Sequence, residues 1–355
     1  MSRERIVVAM SGGVDSSVAA ALLVERGYEA VGVSMDLAGG TSRCCSLGDA
    51  DDARRVAERL GMRFYVANYR ERFQREVVLP FADAYLSGRT PIPCVTCNTR
   101  FKLEYLLARA RAFGAARVAT GHYARVDRDP QGGRWRLRRA ADPAKDQSYF
   151  LFELGQEQLA RLELPLGELT KRQVRERARA LGLATAEKPE SQEICFVPDG
   201  DYARAVEALR PGALPGEGEV VDAEGRRLGR HGGVHRFTVG QRRGLGLAAG
   251  RRLYVTGLDA ARNRVVVGGR ERLACRGARL ERVSWIRGEP PCGPLRARVR
   301  IRYRHAGADA EIEPDDRGAR VRFDEPVEAL APGQAAVFDA GDEVLGGGWI
   351  AGALA

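Results

Sequence analysis

Two groups of residues in this 355-residue chain have the types and spacing for chemistry: a glycine-containing loop and a set of cysteines. The loop, SGGVDSS at 11–17, lies between a predicted strand at 5–10 and a predicted helix. Two adjacent glycines allow the backbone to approach a phosphate closely, and the amides at a helix N-terminus point toward it. Ser16 and Ser17 add hydroxyl donors, and Asp15 is placed to orient a phosphate-bound Mg²⁺. No lysine follows the glycines, so this is not the Walker loop of kinases and GTPases; the pattern favours ATP binding over a purely structural turn.

Three cysteines are candidates for thiol chemistry. Cys94 and Cys97 have C-x-x-C spacing in TPIPCVTCNTRFK, and Cys195 lies in SQEICFVPDG. Cys97 is close to the start of a helix predicted from Thr99, where the helix dipole favours a thiolate. The chain has seven cysteines, an odd number, and in a cytoplasmic protein this argues against a disulfide framework.

The remaining cysteines and one histidine have simpler interpretations. Cys44 and Cys45 lie in a polar loop near the ligand-binding edge of the predicted sheet, and we interpret them as incidental thiols. Cys275 and Cys292 are interpreted as small core or loop residues in a β region. His122 ends a predicted strand at the same sheet edge, which allows either a substrate contact or simple packing.

The charge of the chain predicts a polyanionic partner, with nucleic acid the first candidate. The net charge is +10 and the sequence pI is about 9.5. Ten arginines lie between Glu271 and His305 against three glutamates, a local excess of seven positive charges. Only four of the 57 basic residues are lysines, so an arginine-favouring genome is an alternative source of the charge.

The first 125 residues alternate strands and helices, which predicts a parallel sheet covered by helices on both faces. Strands are predicted at 5–10, 30–37, 62–68 and 117–124, and helices up to 27 and at 49–60, 71–86 and 99–113. A hairpin follows, with its turn at 130–133 and its return strand at 134–139, and then helical stretches over about 147–182.

The second half of the chain is predicted to be β-rich. Glycines and short strands follow Pro211, with strands at 218–222, 234–238, 253–259 and 265–267. In LRARVRIRYRH, at 295–305, apolar residues and arginines alternate with the period of a half-buried strand. Leu295, Ala297, Val299, Ile301 and Tyr303 would face a core, and Arg296, Arg298, Arg300, Arg302 and Arg304 would face water or a ligand. We predict domains at 1–205, 206–273 and 274–355.

No apolar run approaches the length of a membrane span, and the start MSRERIVVAM lacks the apolar segment of a signal peptide. We therefore expect a cytoplasmic protein that does not contact a membrane.

Several longer motifs make the chain resemble a known family nearly from end to end. They are the loop and cysteine segments above together with ATGHYAR (119–125), KDQSYFL (145–151), GQRRGLG (240–246), RYR (302–304) and PGQAAVF (332–338). With these motifs the chain resembles the tRNA-specific 2-thiouridylases, the MnmA family, and its loop resembles the PP-loop of enzymes that cleave ATP between the α and β phosphates. The resemblance implies an adenine nucleotide alpha hydrolase-like α/β domain, a small β-rich central domain and a C-terminal β-barrel. It also implies thiolation of the wobble uridine in the anticodon stem-loop of tRNAs for glutamate, glutamine and lysine.

The resemblance assigns roles to individual residues. The nucleophile position corresponds to Cys97, and the persulfide carrier to Cys195. Contacts with ATP are implied for Ala9, Met10, Ser11, Gly12, Gly13, Val14, Asp15, Ser16, Met35 and Gly121. The target uridine is expected against Ile92, Pro93 and Cys94, with further tRNA contacts from His122, Lys145, Asp146, Gln147, Arg302, Tyr303 and Gln334.

The chemistry implied is adenylylation of the uridine C2 oxygen followed by sulfur transfer from a Cys195 persulfide, with Cys97 attacking that persulfide and a Cys97–Cys195 disulfide as one end point. The persulfide would come from a cysteine desulfurase or a sulfur-relay protein. Because Cys94 stands where the family resemblance leads us to expect Asp, a 4Fe–4S cluster on Cys94, Cys97 and Cys195 is an alternative sulfur carrier.

Two further alternatives remain from the residues alone. An amide-forming PP-loop synthetase acting on a small molecule would turn over ATP without RNA and without Cys97 or Cys195. A non-catalytic RNA-binding protein that retains the loop would bind tRNA without releasing AMP.

Overall fold

The computed structural model describes residues 3–37, 47–190, 194–197, 199–247 and 250–354, so Cys44 and Cys45 lie outside the described residues. The helices and strands of the first half are β1 (Arg5–Ala9), α1 (Val14–Glu25), β2 (Glu29–Asp36), α2 (Leu47–Arg59), β3 (Arg63–Asn68), α3 (Arg70–Phe73), α4 (Leu79–Leu86), α5 (Pro93–Thr96), α6 (Leu103–Ala112), β4 (Arg117–Ala119), β5 (Ala124–Arg128), β6 (Trp135–Arg139), α7 (Gln156–Leu159), β7 (Leu162–Glu163) and α8 (Lys171–Ala180). Those of the second half are α9 (Tyr202–Leu209), β8 (Gly218–Val221), β9 (Arg227–His231), β10 (Tyr254–Asp259), β11 (Arg264–Gly268), β12 (Ala274–Trp285), β13 (Leu295–Arg300), β14 (Ala308–Asp315), β15 (Gly318–Glu328), β16 (Ala335–Ala340) and β17 (Glu343–Leu354).

The N-terminal part contains the predicted parallel sheet. Its strand order is β3-β2-β1-β4-β7, and every pairing in it is parallel. Ile6, Val7 and Val8 of β1 are fully buried, because helices cover both faces of the sheet. Since β1 has β2 on one side and β4 on the other, the loops after β1 and β4 meet at the carboxyl edge, where open sheets bind ligands.

Two helix predictions in this part were wrong in detail. The helix predicted from Thr99 begins at Pro93, and a π-helical segment at Cys97–Lys102 joins α5 to α6. Proline is compatible with the first helical turn, where its missing N–H would have no partner. The region 147–182 is not continuously helical, because α7 and α8 are separated by β7, which adds the last strand of the sheet.

The central part forms a small four-stranded sheet in the order β10-β11-β8-β9. The strand predicted at 234–238 is wrong, since Val234–Arg236 forms a 3₁₀ turn. Gly233 precedes this turn with φ of 127°, a left-handed backbone angle that only glycine adopts readily.

The C-terminal part is the predicted β-barrel. Strands β12, β15, β14, β13, β16 and β17 pair in this order, and pairing of β12 with β17 closes the ring. The hairpin of β5 and β6 joins the outside of this sheet through β17, with Leu137 opposite Val344. A segment from the first 140 residues is therefore part of the barrel sheet. None of the helices that the structure describes is long and apolar enough to cross a bilayer.

The alternating segment at 295–305 departs from its prediction at Arg300. Strand β13 ends at Arg300, and the residues after it form a turn. Arg296, Arg298, Arg302 and Arg304 are exposed as predicted, but Arg300 is only 3% exposed. Its guanidinium donates to Asp339 at 2.6 and 2.9 Å. It also donates to Asp146 at 3.2 Å, so the prediction that this arginine faces water or a ligand is wrong.

Replacing Arg300 by Met should lower the free energy of unfolding by about 3–5 kcal/mol, because it leaves the buried Asp339 without the guanidinium that binds it, whereas Asp146 keeps its ion pair with Arg139. The measurement is urea-induced unfolding followed by tryptophan fluorescence, since Trp135, Trp285 and Trp349 all lie in the barrel sheet. Arg298→Met on the same strand is the matched control, and equal unfolding midpoints for the two variants would contradict a stabilising role of the buried ion pairs.

Candidate active site

The phosphate loop is ordered by its own serines. The backbone N–H of Ser11 donates to Ser16 Oγ at 3.2 Å, and the Ser16 hydroxyl donates to the Gly13 carbonyl at 3.1 Å. Ser17 Oγ donates to the same carbonyl at 2.8 Å. Gly12 has φ of 71°, and Gly13 is the N-cap of α1. These contacts hold the loop open at the helix N-terminus, where backbone amides attract anions.

Two glycines are required by close packing around the loop. A Cβ on Gly12 would overlap the backbone carbonyl of Asp49 in α2. A Cβ on Gly121, in the loop after β4, would lie 2.7 Å from the backbone nitrogen of Ser16. The loop is therefore confined between α2 and the segment after β4, and the missing side chains allow this close packing.

Asp15 lies at the centre of a polar cluster beside the loop. Its Oδ1 accepts hydrogen bonds from Tyr123 Oη at 2.7 Å and from Lys171 Nζ at 2.7 Å. Burial and the negative charge of Asp15 raise the pKa of Tyr123, so its hydroxyl stays protonated and donates. On the other side of the loop, Lys188 Nζ donates to the Gly12 carbonyl at 3.1 Å. Sequence reasoning did not assign Lys171 or Lys188 to the site; the rarity of lysine in the chain was the signal available.

The other predicted ATP-binding residues lie at the same edge of the sheet. Ala9 ends β1 opposite Val33 of β2, and Met10 donates its N–H to the Val33 carbonyl at 2.9 Å. Met35 lies two residues further along β2 and is 6% exposed. The structure thus collects the predicted ATP contacts at the carboxyl edge, although their individual roles remain predictions.

His122 is neutral at ordinary pH. Its Nδ1 lies 2.8 Å from Thr120 Oγ1. Burial, and to a lesser degree the positive charge of Lys102, lower the pKa of the ring to about 3. Contact with tRNA by this side chain would therefore be a hydrogen bond or packing contact of an uncharged imidazole.

The two predicted catalytic cysteines belong to one apolar cluster. Cys97 is 6% exposed and lies within the cluster that also contains Val95 and Phe101. Cys195 and its neighbour Phe196 pack against the same cluster. The fold therefore brings together two thiol-bearing segments that are distant in sequence.

The corrected helix start changes the electrostatic argument for the thiols. Because the helix begins at Pro93, Cys97 is its fifth residue, and Cys94 is in its first turn. The helix dipole acts most strongly within the first turn, so it favours an anion at Cys94 more than at Cys97. The hydrogen bond from Thr99 Oγ1 to the Val95 carbonyl, at 2.8 Å, fixes the helix around Cys97.

The segment predicted to contact the target base is held by the barrel. Thr90 donates its N–H to the Pro332 carbonyl at 2.7 Å and accepts from Gln334 Nε2 at 3.1 Å. A Cβ on Gly333 would come within 3.0 Å of the Thr90 nitrogen, so the turn before β16 packs tightly here. This contact positions Ile92, which directly precedes the helix of Cys94 and Cys97.

The KDQ motif at 145–147 connects four parts of the molecule. Lys145 Nζ contacts Glu190 at 2.6 Å, close to the Cys195 segment. Asp146 is 4% exposed and binds Arg300 of the barrel. Gln147 accepts from the Tyr123 N–H at 2.9 Å through its side chain, and its own N–H donates to the Tyr123 carbonyl at 2.8 Å.

The RYR turn lies against the same motif. The ring of Tyr303 is 4.5 Å from that of Phe150 and 6.0 Å from that of Tyr149, measured between centroids. Arg302 is exposed, and its Nη1 donates to the Glu328 carbonyl at 3.3 Å. Of the predicted tRNA contacts in these two motifs, Arg302 is exposed and Lys145 half-buried, whereas Asp146 is enclosed.

Part of the arginine-rich region is neutralised within the protein. Five of its ten arginines bond to carboxylates: Arg272, Arg279, Arg287, Arg296 and Arg300. The positive field offered to a polyanion is therefore smaller than the sequence count indicates.

The iron–sulfur alternative gains no support from the described part of the chain. Residues 3–37, 47–190, 194–197, 199–247 and 250–354 contain no group of three or more His, Cys, Asp or Glu side chains arranged to hold a metal ion. We therefore do not develop a cluster mechanism.

Comparison with known proteins follows the same division of the chain. The tRNA methyl transferase HUP domain family matches residues 4–199, the tRNA methyl transferase PRC-barrel domain 211–269, and the aminomethyltransferase beta-barrel domain 275–350. The tRNA-specific 2-thiouridylase MnmA of Solibacter usitatus is 52% identical over 370 residues, covering 99% of this chain and 100% of the relative. The protein of the same name from Geobacter metallireducens is 52% identical, covering 99% and 98%.

The chain belongs to the tRNA-specific 2-thiouridylase family. The predicted resemblance and the predicted fold class are thereby confirmed. Among solved structures, a 4-thiouridine synthetase in complex with RNA and bound ATP aligns with a TM-score of 0.37 and 18% identity, over 59% of this chain and 51% of that one.

Gly121→Ala should weaken ATP binding by about tenfold or more, because the new methyl group displaces the Ser16 amide and strain of this kind costs about 1–3 kcal/mol. Titration calorimetry with ATP measures the effect. Gly155→Ala is the control, since its Cβ would meet nothing within 4 Å. An unchanged affinity in Gly121→Ala would show that the loop does not bind the nucleotide.

His122 should not titrate in the native protein between about pH 5 and pH 8, whereas in the urea-unfolded chain it should titrate near 6.5. The contribution of the neutral His122 ring to the free energy of unfolding should be lost as the pH falls from about 6.5 toward 3. The reason is that His122 takes up its proton at a higher pH in the unfolded chain than in the native protein. NMR of the ring carbons measures both titrations. A native midpoint near the unfolded one would mean that the ring is solvated and available as a cation.

Proposed function

We propose that this chain uses ATP to activate the C2 oxygen of the wobble uridine in tRNA and replaces that oxygen with sulfur supplied through Cys195 and Cys97. The observation that carries the proposal is the packing of the Cys97 and Cys195 segments on one apolar cluster, in a member of a 2-thiouridylase family. A sulfur-transfer mechanism requires both thiols near one bound base, and the shared cluster supports such an arrangement.

The first step is adenylylation. The uridine C2 oxygen forms a bond to the α-phosphorus of ATP, and the bond from that phosphorus to the bridging oxygen breaks, its electron pair leaving with pyrophosphate. The loop lies at the N-terminus of α1, where backbone amides favour phosphates, and Gly12 and Gly121 allow α2 and the segment after β4 to pack closely against it. Mg²⁺ would accompany the phosphates, and our prediction that Asp15 orients it is unchanged, although Lys171 and Tyr123 bond to this carboxylate in the structure.

The second step is sulfur transfer. We infer that an upstream cysteine desulfurase or sulfur-relay protein leaves a persulfide on Cys195. Attack of the Cys97 thiolate on the inner sulfur forms a Cys97–Cys195 disulfide and releases hydrosulfide. The hydrosulfide adds to C2, and AMP departs with the oxygen. A cellular dithiol then reduces the disulfide before the next cycle.

The burial of Cys97 bears on how the tRNA must bind. The reacting base must leave its stack to reach a thiol that is only 6% exposed. We propose that it binds against Ile92, Pro93 and Cys94, whose position the barrel fixes through Thr90. The exposed arginines of the barrel, Arg302 among them, would contact phosphates and set affinity without reading sequence.

The choice among tRNAs, the cytoplasmic location and the domain limits at 205 and 273 remain proposals. The pairing of β5 and β6 with the barrel shows that the first and last parts share a sheet across the proposed limits. We expect these two parts to fold as a unit.

Cys97→Ala and Cys195→Ala should each lower thiolation of unmodified tRNA by about 10³-fold or more, because sulfur transfer loses its nucleophile or its carrier. Pyrophosphate release that depends on tRNA should persist in Cys195→Ala. Thiolated nucleoside analysis and a pyrophosphate assay measure the two steps separately. Cys275→Ala is the matched control, because Cys275 packs against the barrel core.

The outcomes separate the alternatives. Full thiolation by Cys195→Ala would refute the persulfide route, and ATP turnover without RNA would indicate a small-molecule synthetase. Binding of tRNA without AMP release would indicate a non-catalytic protein. Iron and sulfide in anaerobically purified protein, together with loss of activity in Cys94→Ala, would favour the cluster.

A further inference from the structure

Lysine is rare in this chain, and every lysine lies near the candidate site. Four of the 57 basic residues are lysines. Lys145, Lys171 and Lys188 form ion pairs at the phosphate loop or directly beside it, and the charge of Lys102 acts on His122. A guanidinium is a planar fork, whereas an ammonium is a compact point charge on a flexible stem. Arginine supplies almost all of the other positive charges of the chain. The lysines near the candidate site therefore indicate positions that require a compact cation.

Lys188 lies on the loop itself. Its ammonium donates to the Gly12 carbonyl at 3.1 Å and to Asp49 and Asp52 at 2.6 Å each. Burial disfavours the charge, but the hydrogen bonds that the ammonium donates to the two carboxylates outweigh it and raise the pKa of Lys188. Its side chain is 29% exposed, so the cation is reachable by a ligand in the loop.

Lys171 approaches the loop from the opposite side. It is the first residue of α8, and its ammonium contacts Asp15 at 2.7 Å and Glu190 at 3.0 Å. The side chain of Thr170 caps the helix by accepting from the Gln173 N–H, which fixes the start of α8 and the base of the lysine. Both lysines are distant in sequence from the loop that they contact. Lys171 is 156 residues from Asp15, and Lys188 is 176 residues from Gly12.

The loop has no lysine of its own next to its glycines. Transfer of the adenylyl group places additional negative charge on the leaving pyrophosphate, and cations that contact the loop would stabilise that charge. Flexible lysine stems allow each ammonium to move from a carboxylate to a phosphate oxygen within the same small region.

We propose that Lys171 and Lys188 bind the β- and γ-phosphates of ATP and remain on the departing pyrophosphate, the role that the lysine of a Walker loop has within its own loop. This inference rests on the proposed function for the identity of the nucleotide. Asp15, Asp49, Asp52 and Glu190 then hold the two cations in position at the loop.

The test measures binding to the full-length chain without tRNA, using ATP, pyrophosphate and adenosine as separate probes. Lys171→Gln and Lys188→Gln should each weaken ATP binding by about tenfold or more, the size expected for one charged hydrogen-bonding contact. Binding of pyrophosphate should weaken by a similar factor, and binding of adenosine should not change. Lys171→Arg and Lys188→Arg should recover part of the ATP affinity, since they keep the charge but not the compact shape.

Arg177→Gln is the matched control. Arg177 lies on α8 like Lys171, and its Nη1 pairs with Glu25 of α1 at 3.0 Å, so it also joins α8 to α1 but away from the loop. This variant should bind ATP as the wild type does. Equal weakening of ATP and adenosine binding in the lysine variants, or no weakening of either, would overturn the proposal.

The result is separable from the proposed function. If the wild type binds ATP but does not thiolate tRNA, the proposed function fails while the comparison of lysine variants still decides the phosphate contacts. If the wild type thiolates tRNA and the lysine variants bind ATP normally, only the present inference fails.

Discussion

A buried arginine between two carboxylates joins the barrel to the KDQ motif of the N-terminal part. Arg300 ends β13, and it bonds to Asp339 on β16 and to Asp146 in the KDQ motif, all three side chains being less than 5% exposed. Buried ion pairs of this kind add little net stability compared with apolar packing, but they tolerate few arrangements because an unpaired charge is costly. We conclude that their main effect is to specify the relative position of the two domains.

A series of direct contacts connects the KDQ motif to the phosphate loop. Asp146 is followed by Gln147, which bonds to the backbone of Tyr123 in both directions. Tyr123 in turn donates to Asp15, which also accepts from Lys171. The side chains that organise the nucleotide site and those that attach the barrel are therefore neighbours in one network. One continuous set of contacts therefore connects the phosphate loop to the barrel.

Structural elements that depend on local sequence pattern were predicted from the sequence. The strand–glycine loop–helix unit, the parallel sheet and the β-rich second half follow from residue periodicity and motif spacing, whereas the closed barrel was predicted from the family resemblance. Long-range pairing was not predictable in this way: Arg300 alternates like its exposed neighbours, and its burial depends on Asp146, which lies 154 residues away. The start of the thiol-bearing helix at Pro93 was missed because proline also commonly ends helices, and its tolerance at the first turn depends on context. No sequence motif assigned Lys171 and Lys188 to the site. They contact Asp15 and Gly12 only in the folded chain.

The residues that the family resemblance assigns to tRNA divide physically into two sets. Asp146, Gln147 and Gln334 use polar groups to bind other parts of the protein, so their first role is to position the segments that carry them. Arg302 is exposed and Lys145 is half-buried, and both carry charge toward an anionic partner. Because half of the ten arginines near the barrel are neutralised by carboxylates, attraction to RNA depends on the remaining cations and on shape. The proposed binding of the target base against Ile92 and the thiols would supply discrimination, because an extruded base is desolvated there and each unmatched polar group weakens binding.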